Sequence, residues 1–478
     1  MDYRFLMTAD PSSPRVPRQR QLYGNLRAAI AAGRLVAHHR LPGSRELAEQ
    51  LGIARNTVIY AFEQLAAEGY LHSSRRGTVV AKVPDAVKAR GGRSKASISL
   101  SQRIRAFPNR ERPQQDTMPF TPGVPALDEF PLHEWHLSLR RAGASIRPVD
   151  LGYGDARGNV FLREAISDRL RAARGLRCTR DQVFITNGTQ ATLDLLARSL
   201  ADVGDTVLME SPGYTGARAA FTAAGLVVKG VPVDEEGVVL ENLGHLVNPR
   251  FIYVTPSHQY PLGSVLSLRR RMEVINLARR VGAMILEDDY DSDFRFGGEP
   301  LPALQGLVED APVMYLGTFS KTLFPGLRLG YFVVPNAAIE PIDAIYTTLD
   351  RHGRQLEQLA LARFMVDGRY TRHLSRMRKL YRERQHLLRA ALAARLPNFE
   401  VRGAEAGLHL VLMFPDGVDD LEFVRRARRQ GLNPGALSSY CGDVRQKLSG
   451  LVLGYGNLAT ANIEPHVVTL AALCKRLT

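Results

Sequence analysis

Apolar residues recur at helical spacing over the first part of the chain. Between residues 21 and 32, Leu22, Leu26 and Ile30 fall on one face, and Gly33 follows the last of them. This spacing predicts an amphipathic helix that buries one side and ends at a glycine.

Two further helical segments follow closely. Ser44 is placed to cap the helix written RELAEQL, and Gly52 turns the chain into a third segment, IARNTVIYAFEQLAAEG. In the third segment Val58, Phe62 and Leu65 share one face. The pattern therefore predicts a three-helix unit of the helix-turn-helix kind.

A short hairpin is predicted after the third helix. The run LHSSRRGTVVA places Arg75 and Arg76 at a glycine-containing turn between two strands. Such a wing can lay its arginines along a DNA backbone or in a minor groove. Side chains on the second helix, on the leading face of the third helix and on the wing can donate hydrogen bonds to phosphates and base edges. The predicted DNA-binding residues are Ser44, Arg45, Arg55, Asn56, Thr57, Tyr60, Arg75, Arg76 and Thr78.

The net charge of +15 is concentrated at the N-terminal end. Residues 1–115 carry 20 Lys and Arg against 8 Asp and Glu, a difference of +12 that leaves +3 for the remaining 363 residues. A basic front end favours a polyanionic partner, and the helices and wing make double-stranded DNA the expected one. The alternative is a structural module whose polar and basic side chains face water.

The composition and the spacing of apolar residues change twice along the chain. Residues 84–116 are rich in Pro, Gly, Ser and Arg and lack regular apolar spacing, which is typical of a linker. From residue 117 onward, short apolar runs such as Thr206 to Met209 and Val313 to Leu316 alternate with helical stretches. The alternation predicts an α/β fold with a mainly parallel, doubly wound sheet. The predicted domains are a winged helix-turn-helix at 15–83, a basic flexible linker at 84–116 and a large domain at 117–478.

The composition of the chain bears on its cellular location and on whether it binds a membrane or a metal. No run approaches the ~18 apolar residues of a membrane span, and the N-terminus lacks the apolar block of a secretion signal. Cys178, Cys441 and Cys474 are far apart in the sequence and indicate neither a disulfide framework nor a zinc site. We therefore expect a cytoplasmic protein, associated with the nucleoid when it binds DNA, without a membrane partner or a bound metal.

Lys321 follows a predicted strand in the segment GTFSKTLFPGLRLG. It therefore lies on a loop at the carboxyl end of that strand, where α/β proteins bind ligands. A lysine there can condense with the aldehyde of pyridoxal phosphate (PLP). Thr318, Ser320 and Arg328 can bind the phosphate through hydroxyls and a guanidinium fork. A surface lysine beside a turn is the alternative for Lys321 taken alone.

Asp288 follows another predicted strand in the segment MILEDDYDSDF. A carboxylate beside the pyridine nitrogen of PLP keeps that nitrogen protonated. Tyr290, two residues later, can reach the ring hydroxyl or the imine. The run of acids from Glu287 to Asp293 also leaves open a metal cluster or a solvated loop, although no histidine accompanies it.

Two more segments supply what a PLP site still needs. ITNGTQATLDLLARSL reads as strand, glycine turn and helix, so Gly188, Thr189 and Gln190 lie at a helix N-terminus that favours an anion. Tyr214 follows a strand in MESPGYTGAR and is placed to stack on the cofactor ring, with a core or turn tyrosine as the alternative. A lysine, an acid, an aromatic face and anion donors thus all occur in the sequence.

These motifs resemble known families along most of the chain. The segment LPGSRELAEQLGIARNTVIYAFEQLAAEGYL, closing in RRGTVV, resembles the winged-helix domain of the GntR family over residues 15–82. The large domain resembles fold-type I aminotransferases. Over residues 15–475 the chain is similar to MocR/GabR-type regulators, most specifically in ESPGY, TPSHQYPLG, EDDYDSDF and SKTLFPGLRLGY.

The resemblance implies a cofactor and an assembly. PLP is expected as a Schiff base on Lys321, with Asp288 at the ring nitrogen, Tyr290 near the ring hydroxyl and Arg328 at the phosphate. Such proteins are typically head-to-tail homodimers. Tyr153 matches an aminotransferase position that touches the neighbouring subunit's cofactor phosphate.

Two departures from the aminotransferase pattern affect the expected ligand. Aminotransferases carry an asparagine in an HNPTG-like loop, whereas this chain reads HQYPLG, so His258 or Gln259 is expected to substitute. Aminotransferases also clamp the ligand carboxylate with an arginine near the C-terminus, where this chain has Val452. An α-amino acid effector and catalytic transamination are therefore disfavoured.

The sequence thus predicts a PLP-binding transcription regulator that is not an enzyme. Its large domain senses PLP, or an amine or amino compound that condenses with it, and thereby alters promoter binding. PLP itself is the expected signal because the arginine clamp is missing. A PLP-dependent aminotransferase with an appended DNA-binding domain is the alternative. A repressor whose large domain is only a dimerisation scaffold is a third possibility.

Overall fold

The computed structural model describes most of the chain. It covers residues 2–7, 16–74, 77–82, 99, 101–105, 117–241, 248–297, 301–349, 353–403, 406–442 and 448–475. The chain divides into two compact units, Met1–Ser99 and Leu100–Thr478. In the part of the chain that is described, no helix combines the length and the apolarity that crossing a bilayer requires.

The smaller unit is a bundle of three helices with a hairpin. Its helices are α1 (Arg18–Ala31), α2 (Ser44–Leu51) and α3 (Arg55–Ala67). The predicted inward faces are confirmed, because Leu22, Leu26, Val58, Phe62 and Leu65 are buried in one apolar cluster. That cluster also includes Tyr3 and Leu6 from a short 3-10 helix, Arg4–Met7, and the residue before it.

The prediction that Ser44 caps the second helix is wrong. The N-cap is Gly43, with extended backbone and no side-chain cap, and Ser44 is already the first helical residue. Its hydroxyl instead accepts a hydrogen bond from Nε of Arg55 at 3.3 Å. Ser44 therefore ties the starts of α2 and α3 together.

The predicted wing is present as an antiparallel hairpin. β1 (Leu71–Ser74) pairs with β2 (Gly77–Val80), and Ser74 faces Gly77 at the end of the register. Gly77 has φ +121°, a conformation that L side chains rarely adopt. Arg75 and Arg76 lie outside the described residues.

The larger unit alternates strands and helices. Its helices are α4 (Gln102–Arg105), α5 (Leu132–Ser145), α6 (Val160–Arg174), α7 (Thr189–Leu200), α8 (Thr215–Ala224), α9 (Leu268–Val281), α10 (Leu304–Leu307), α11 (Ile339–Leu349), α12 (Gln355–Val366), α13 (Arg369–Arg395), α14 (Asp420–Arg429) and α15 (Ile463–Cys474). Helices cover both faces of the main sheet, so its central strands are buried on both sides.

The main sheet has eight strands in the order β3-β10-β9-β8-β7-β4-β5-β6. They are β3 (Val183–Thr186), β4 (Thr206–Ser211), β5 (Val227–Asp234), β6 (Gly237–Val238), β7 (Pro249–Val254), β8 (Met284–Asp289), β9 (Val313–Thr318) and β10 (Gly330–Val333). The neighbours from β5 through β4, β7 and β8 to β9 are parallel, whereas β10 runs antiparallel to both β9 and β3. The predicted α/β class with a mainly parallel sheet is confirmed.

A second sheet is built from the C-terminal part of the chain. It is antiparallel and contains β11 (Val401–Arg402), β12 (His409–Met413), β13 (Gly435–Ala436) and β14 (Gly450–Gly454) in the order β11-β12-β14-β13. Helices α13, α14 and α15 contribute to the apolar core on this sheet. This sheet supplies one wall of the cavity described below.

The predicted linker lies mostly outside the described residues. Its described part includes α4, which belongs to the larger unit, and Nη1 of Arg103 donates to the carbonyl of Ala224 at 3.4 Å. The domain boundaries at 83/84 and 116/117 stay a prediction.

Candidate functional site

A cavity of about 240 Å³ opens at the carboxyl ends of the parallel strands in the larger unit. Loops after β8 and β9 meet there with the starts of α7 and α8 and with β12 of the second sheet. This edge is where parallel α/β sheets bind ligands. The lining residues are Pro122, Gly123, Thr189, Gln190, Tyr214, Tyr253, Thr255, Tyr260, Asp288, Tyr290, Thr318, Ser320, Lys321, Pro325, Arg328, Leu408 and His409.

Most of the predicted cofactor residues come together in this cavity. Those in its lining are Thr189, Gln190, Tyr214, Asp288, Tyr290, Thr318, Ser320, Lys321 and Arg328. Gly188, His258 and Tyr153 are not part of the lining. Segments that are far apart in the sequence therefore converge because each ends a strand or begins a helix at the same edge.

Lys321 carries the amine of the cavity. It lies three residues beyond the end of β9 and is half-buried. Its Nζ donates a hydrogen bond to the carbonyl oxygen of Gly123 at 2.7 Å. The amine is thus held on a short loop, at the place where a condensing aldehyde would need a nucleophile.

Asp288 lies at the end of β8 with a buried side chain. Tyr253 donates its hydroxyl proton to Oδ2 of Asp288 at 2.6 Å, while Oδ1 is buried and receives no hydrogen bond from the described residues. Burial raises the pKa of Asp288 from 3.8 to about 7, and the hydrogen bond from Tyr253 opposes that rise. An unsatisfied buried carboxylate oxygen is costly, so this atom fits a ligand that brings an N–H donor.

Anion-binding groups gather where α7 begins. Thr189 and Gln190 form the first turn of α7, and the preceding N-cap, Gly188, has φ +96°. A Cβ on Gly188 would lie 3.6 Å from the guanidinium of Arg328, so Arg328 reaches this helix start. Gly330 pairs with Thr318 in the sheet and packs against Gly188, which brings Thr318 to the same end. A helix N-terminus, hydroxyls and an arginine together suit a phosphate.

The loop HQYPLG presents a different residue to the cavity than expected. His258 is buried behind Tyr290, with its Nδ1 2.8 Å from Oδ2 of Asp291 and 2.9 Å from the Tyr290 hydroxyl. The side-chain nitrogen of Gln259 donates to the carbonyl of Pro212 at 2.8 Å, and its side-chain oxygen accepts from the N–H of Leu262 at 3.1 Å. Tyr260 is the residue of this loop that lines the cavity.

The acids between Glu287 and Asp293 face separate protein partners. Asp289 pairs with Arg174 at 2.8 Å, Asp291 contacts His258, and Asp293 pairs with Arg169. Glu287 accepts from the backbone N–H groups of Leu304 and Gln305. Over the described residues, no group of three or more His, Cys, Asp or Glu side chains is arranged to hold a metal ion.

Val452, at the position expected for the carboxylate-binding arginine of aminotransferases, is buried in β14. It packs in an apolar cluster with Leu262, Val411 and Leu437. Among the described lining residues, the Arg and Lys side chains are those of Arg328 and Lys321. Burial lowers the pKa of His409 from 6.5 to about 3, so this lining histidine is neutral at physiological pH.

Several lining residues are not predicted from the sequence. Tyr253 lies inside an apolar strand run and looked like core, while Gly123 belongs to a loop without a recognised motif. Tyr260 forms ring contacts with Tyr214 and Tyr290 at centroid distances of 6.0 and 5.6 Å. The proline of the HQYPLG loop was the signal for Tyr260, because aligning it with the proline of HNPTG places Tyr260 at the asparagine.

The smaller unit presents its predicted DNA-binding residues mainly on the surface. Arg45, Arg55, Asn56 and Tyr60 are exposed, while Ser44, Thr57 and Thr78 are half-buried. Thr78 lies in the wing, and its hydroxyl is 3.2 Å from that of Ser73.

Arg40 is a further basic residue on this surface, in addition to the predicted ones. It forms an isolated β-bridge with Val79 of the wing. Its exposed guanidinium packs over Gly77, since a Cβ at that glycine would lie 3.0 Å from Nε of Arg40.

A winged helix-turn-helix unit joined to a ligand cavity of the aminotransferase type defines a DNA-binding transcription regulator. Residues 18–80 match the family described as bacterial regulatory proteins, gntR family, and residues 115–438 match aminotransferase class I and II. The chain belongs to the MocR/GabR type of regulators, in which these two parts occur together.

Two relatives illustrate the likeness of the sequence. The chain is 42% identical to the probable rhizopine catabolism regulatory protein MocR of Rhizobium meliloti, over 95% of this chain and 92% of that protein. It is 35% identical to the pyridoxine biosynthesis transcriptional regulator PdxR of Corynebacterium glutamicum, over 91% of each chain. These relatives are named as regulators, which supports a regulatory and not an enzymatic role.

The larger unit is also similar to solved aminotransferases. An α-aminoadipate aminotransferase from Thermus thermophilus, complexed with N-(5'-phosphopyridoxyl)-L-leucine, superposes with a TM-score of 0.70 at 28% identity. The match covers 76% of this chain and 93% of that one. The aminotransferase fold and its PLP-complexed neighbour imply that the larger unit is of a PLP-binding type.

Proposed function

We propose that the cavity binds PLP through Lys321 and that its occupant controls how the regulator binds promoter DNA. The observation that carries this proposal is Oδ1 of Asp288, a buried acceptor without a donor among the described residues, in the same cavity as the Lys321 amine. PLP supplies an aldehyde that condenses reversibly with primary amines and a ring nitrogen that can donate to this oxygen.

The remaining residues have distinct roles in this proposal. Tyr214 stacks on the cofactor ring, and Tyr290 and Tyr260 lie toward its hydroxyl. His258 acts indirectly, by holding Tyr290 in place. The phosphate binds at the start of α7 through Gly188, Thr189, Gln190, Thr318, Ser320 and Arg328.

The charged residues that line the cavity limit which effectors can bind there. Arg328 is committed to the phosphate and Lys321 to the aldehyde, so the described lining offers no further cation for an effector carboxylate. A buried carboxylate without a partner is strongly unfavourable. We therefore propose PLP itself as the signal, or an amine that lacks a carboxylate. The PdxR relative, named for pyridoxine biosynthesis, agrees with the first choice.

The regulator is proposed to act as a head-to-tail homodimer in the cytoplasm, where chromosomal DNA lies. Val149, Leu151 and Tyr153 are 71%, 75% and 78% exposed, which is unusual for three large apolar side chains so close in sequence. An apolar surface of this kind suits a second copy of the chain, and it presents Tyr153 to the partner's phosphate site.

The proposal is tested by measuring DNA affinity with and without PLP. A duplex selected by the full-length protein from random DNA is titrated at fixed salt, first alone and then with PLP and with simple amines. We expect affinity to change, by the roughly 5- to 150-fold typical of allosteric coupling. An affinity that ignores PLP and every amine would refute the sensor, and steady turnover of an amino donor with a keto acid would favour the enzyme.

Asp288 also predicts a pH effect on stability. Because its pKa is raised from 3.8 to about 7, the folded chain holds a proton that the unfolded chain releases, and stability falls as pH rises through this interval. Asp288→Asn removes this contribution, so the free energy of unfolding without PLP should fall less steeply between pH 4 and 7 than in wild type. Urea denaturation across that range measures it.

The pH profile of the variant is compared with that of wild type, because other buried acids titrate in both proteins. Burial also raises the pKa of Glu210 and of Glu287 to about 7, and both remain in the variant. Asp202→Asn, at an exposed carboxyl, is the matched control and should follow wild type. Parallel profiles for wild type and Asp288→Asn would contradict the prediction.

A further inference from the structure

One segment of the larger unit connects the cavity with the chain that leads to the DNA-binding unit. Residues 117–126, which we call the strap, are the first described residues after the predicted linker. Pro122 and Gly123 of the strap line the cavity. The strap is therefore continuous in sequence with the linker and in direct contact with the proposed effector site.

The strap is firmly seated on the C-terminal part of the fold. Asn457 donates to the strap carbonyl of Met118 at 2.8 Å, and Asn433 donates to the Thr121 hydroxyl at 3.0 Å. The backbones are so close that a Cβ on Gly454 would lie 2.1 Å from the carbonyl oxygen of Thr121. These contacts fix the strap backbone against the C-terminal part of the fold.

Within the cavity, the strap meets the reactive amine. Nζ of Lys321 donates to the carbonyl of Gly123 at 2.7 Å. Gly123 has φ +74°, and a Cβ there would lie only 2.9 Å from the same nitrogen. The glycine thus brings strap backbone against Lys321 with no side chain between them.

The covalent state of Lys321 changes what it can donate. When the lysine condenses with an aldehyde, a C=N bond forms, water leaves, and the nitrogen keeps no N–H, or one when protonated. When a primary amine replaces the lysine, a new C=N bond forms to that amine, the bond to Lys321 breaks, and the two N–H protons of the amine end on the lysine nitrogen. A further proton from solvent restores the ammonium, which has three donors.

We propose that the strap senses whether Lys321 is uncondensed or covalently engaged, and that it couples the cavity to DNA binding. The Gly123 carbonyl accepts from the uncondensed lysine, whose ammonium has three N–H donors, whereas the condensed nitrogen has one N–H at most and none when it is not protonated. The two covalent states therefore favour different strap positions. This inference rests on the proposed function. It supplies the differential contact that a change in DNA affinity requires.

The first test weakens the anchoring of the strap by substituting two residues that are outside the cavity lining. The double variant Thr121→Val, Asn457→Ala removes the two side-chain anchors, and Thr469→Val, Asn462→Ala is the matched control in the same unit. We expect the strap variant to keep the wild-type PLP absorbance and its DNA affinity without PLP. The change in affinity caused by PLP, about 5- to 150-fold in a typical coupled system, should disappear in the strap variant and persist in the control.

The second test follows the strap directly by hydrogen exchange. The peptide that covers residues 117–126 should exchange differently when PLP is added to wild type, and should not respond in Lys321→Ala. An equal response in Lys321→Ala, or a full PLP response of DNA affinity in the strap variant, overturns the inference and leaves the proposed function standing. Wild-type DNA affinity that ignores PLP and amines overturns the proposed function instead.

Discussion

The Lys321→Ala variant is expected to lose the absorbance of covalently attached PLP completely. Lys321 provides the only lysine amine among the described lining residues, so no neighbour there can replace it. The variant should also lose any response of DNA affinity to amines, because an amine has no covalent linkage to displace. Near-ultraviolet and visible spectra of protein mixed with PLP, followed by dialysis, measure the attachment.

A matched control separates this effect from general damage. Lys229 is a lysine on β5 of the same unit, outside the cavity lining, and Lys229→Ala should give the wild-type spectrum. Circular dichroism should show that both variants are folded. An absorbance band in Lys321→Ala that equals the wild-type band would assign the attachment to another amine.

The second large effect is expected at Arg55 of the DNA-binding unit. Arg55 is the first residue of α3, is exposed, and is oriented by its hydrogen bond to Ser44. The start of a recognition helix enters the major groove, where an arginine can pair with a guanine in bidentate fashion. Arg55→Ala should therefore weaken binding to the selected duplex by about 1 to 3 kcal/mol and relax its sequence preference.

Arg40→Ala provides the comparison for a backbone contact. Arg40 packs over the wing and is expected to contact a DNA phosphate. Arg40→Ala should therefore weaken binding to all DNA sequences alike, and it should reduce the slope of log binding constant against log salt concentration by about 1. Competition between selected and random duplexes at several salt concentrations distinguishes the two. If Arg55→Ala lowered specific and random binding equally, base recognition by Arg55 would be excluded.

The fold was predictable where periodicity is strong. The helical faces of α1 and α3 and the apolar runs of β4, β8 and β9 are visible in the sequence because burial selects their residue types. Strand β10 was not recognised, since GYFV gives no indication that it inserts antiparallel between β9 and β3. The second sheet was missed because β11 and β13 have only two residues each.

The candidate site was predictable from motifs that end strands or begin helices. Lys321 and Asp288 stand at such positions, and the sheet then brings them together. Gly123 and His409 come from segments without a recognised motif, and only tertiary packing brings them to the cavity. The predicted N-cap at Ser44 was wrong for a local reason, because the preceding residue, Gly43, has the extended backbone that an N-cap needs.

Oδ1 of Asp288, which has no donor among the described residues, has a consequence for how much of the regulator a cell contains. A ligand that binds only the folded chain stabilises it, by about 2.7 kcal/mol at a hundredfold excess over its Kd. A chain without that bound ligand unfolds more often, and it is therefore exposed to proteases more often. Under the proposed function, the supply of PLP would therefore set the lifetime of this protein as well as its affinity for DNA.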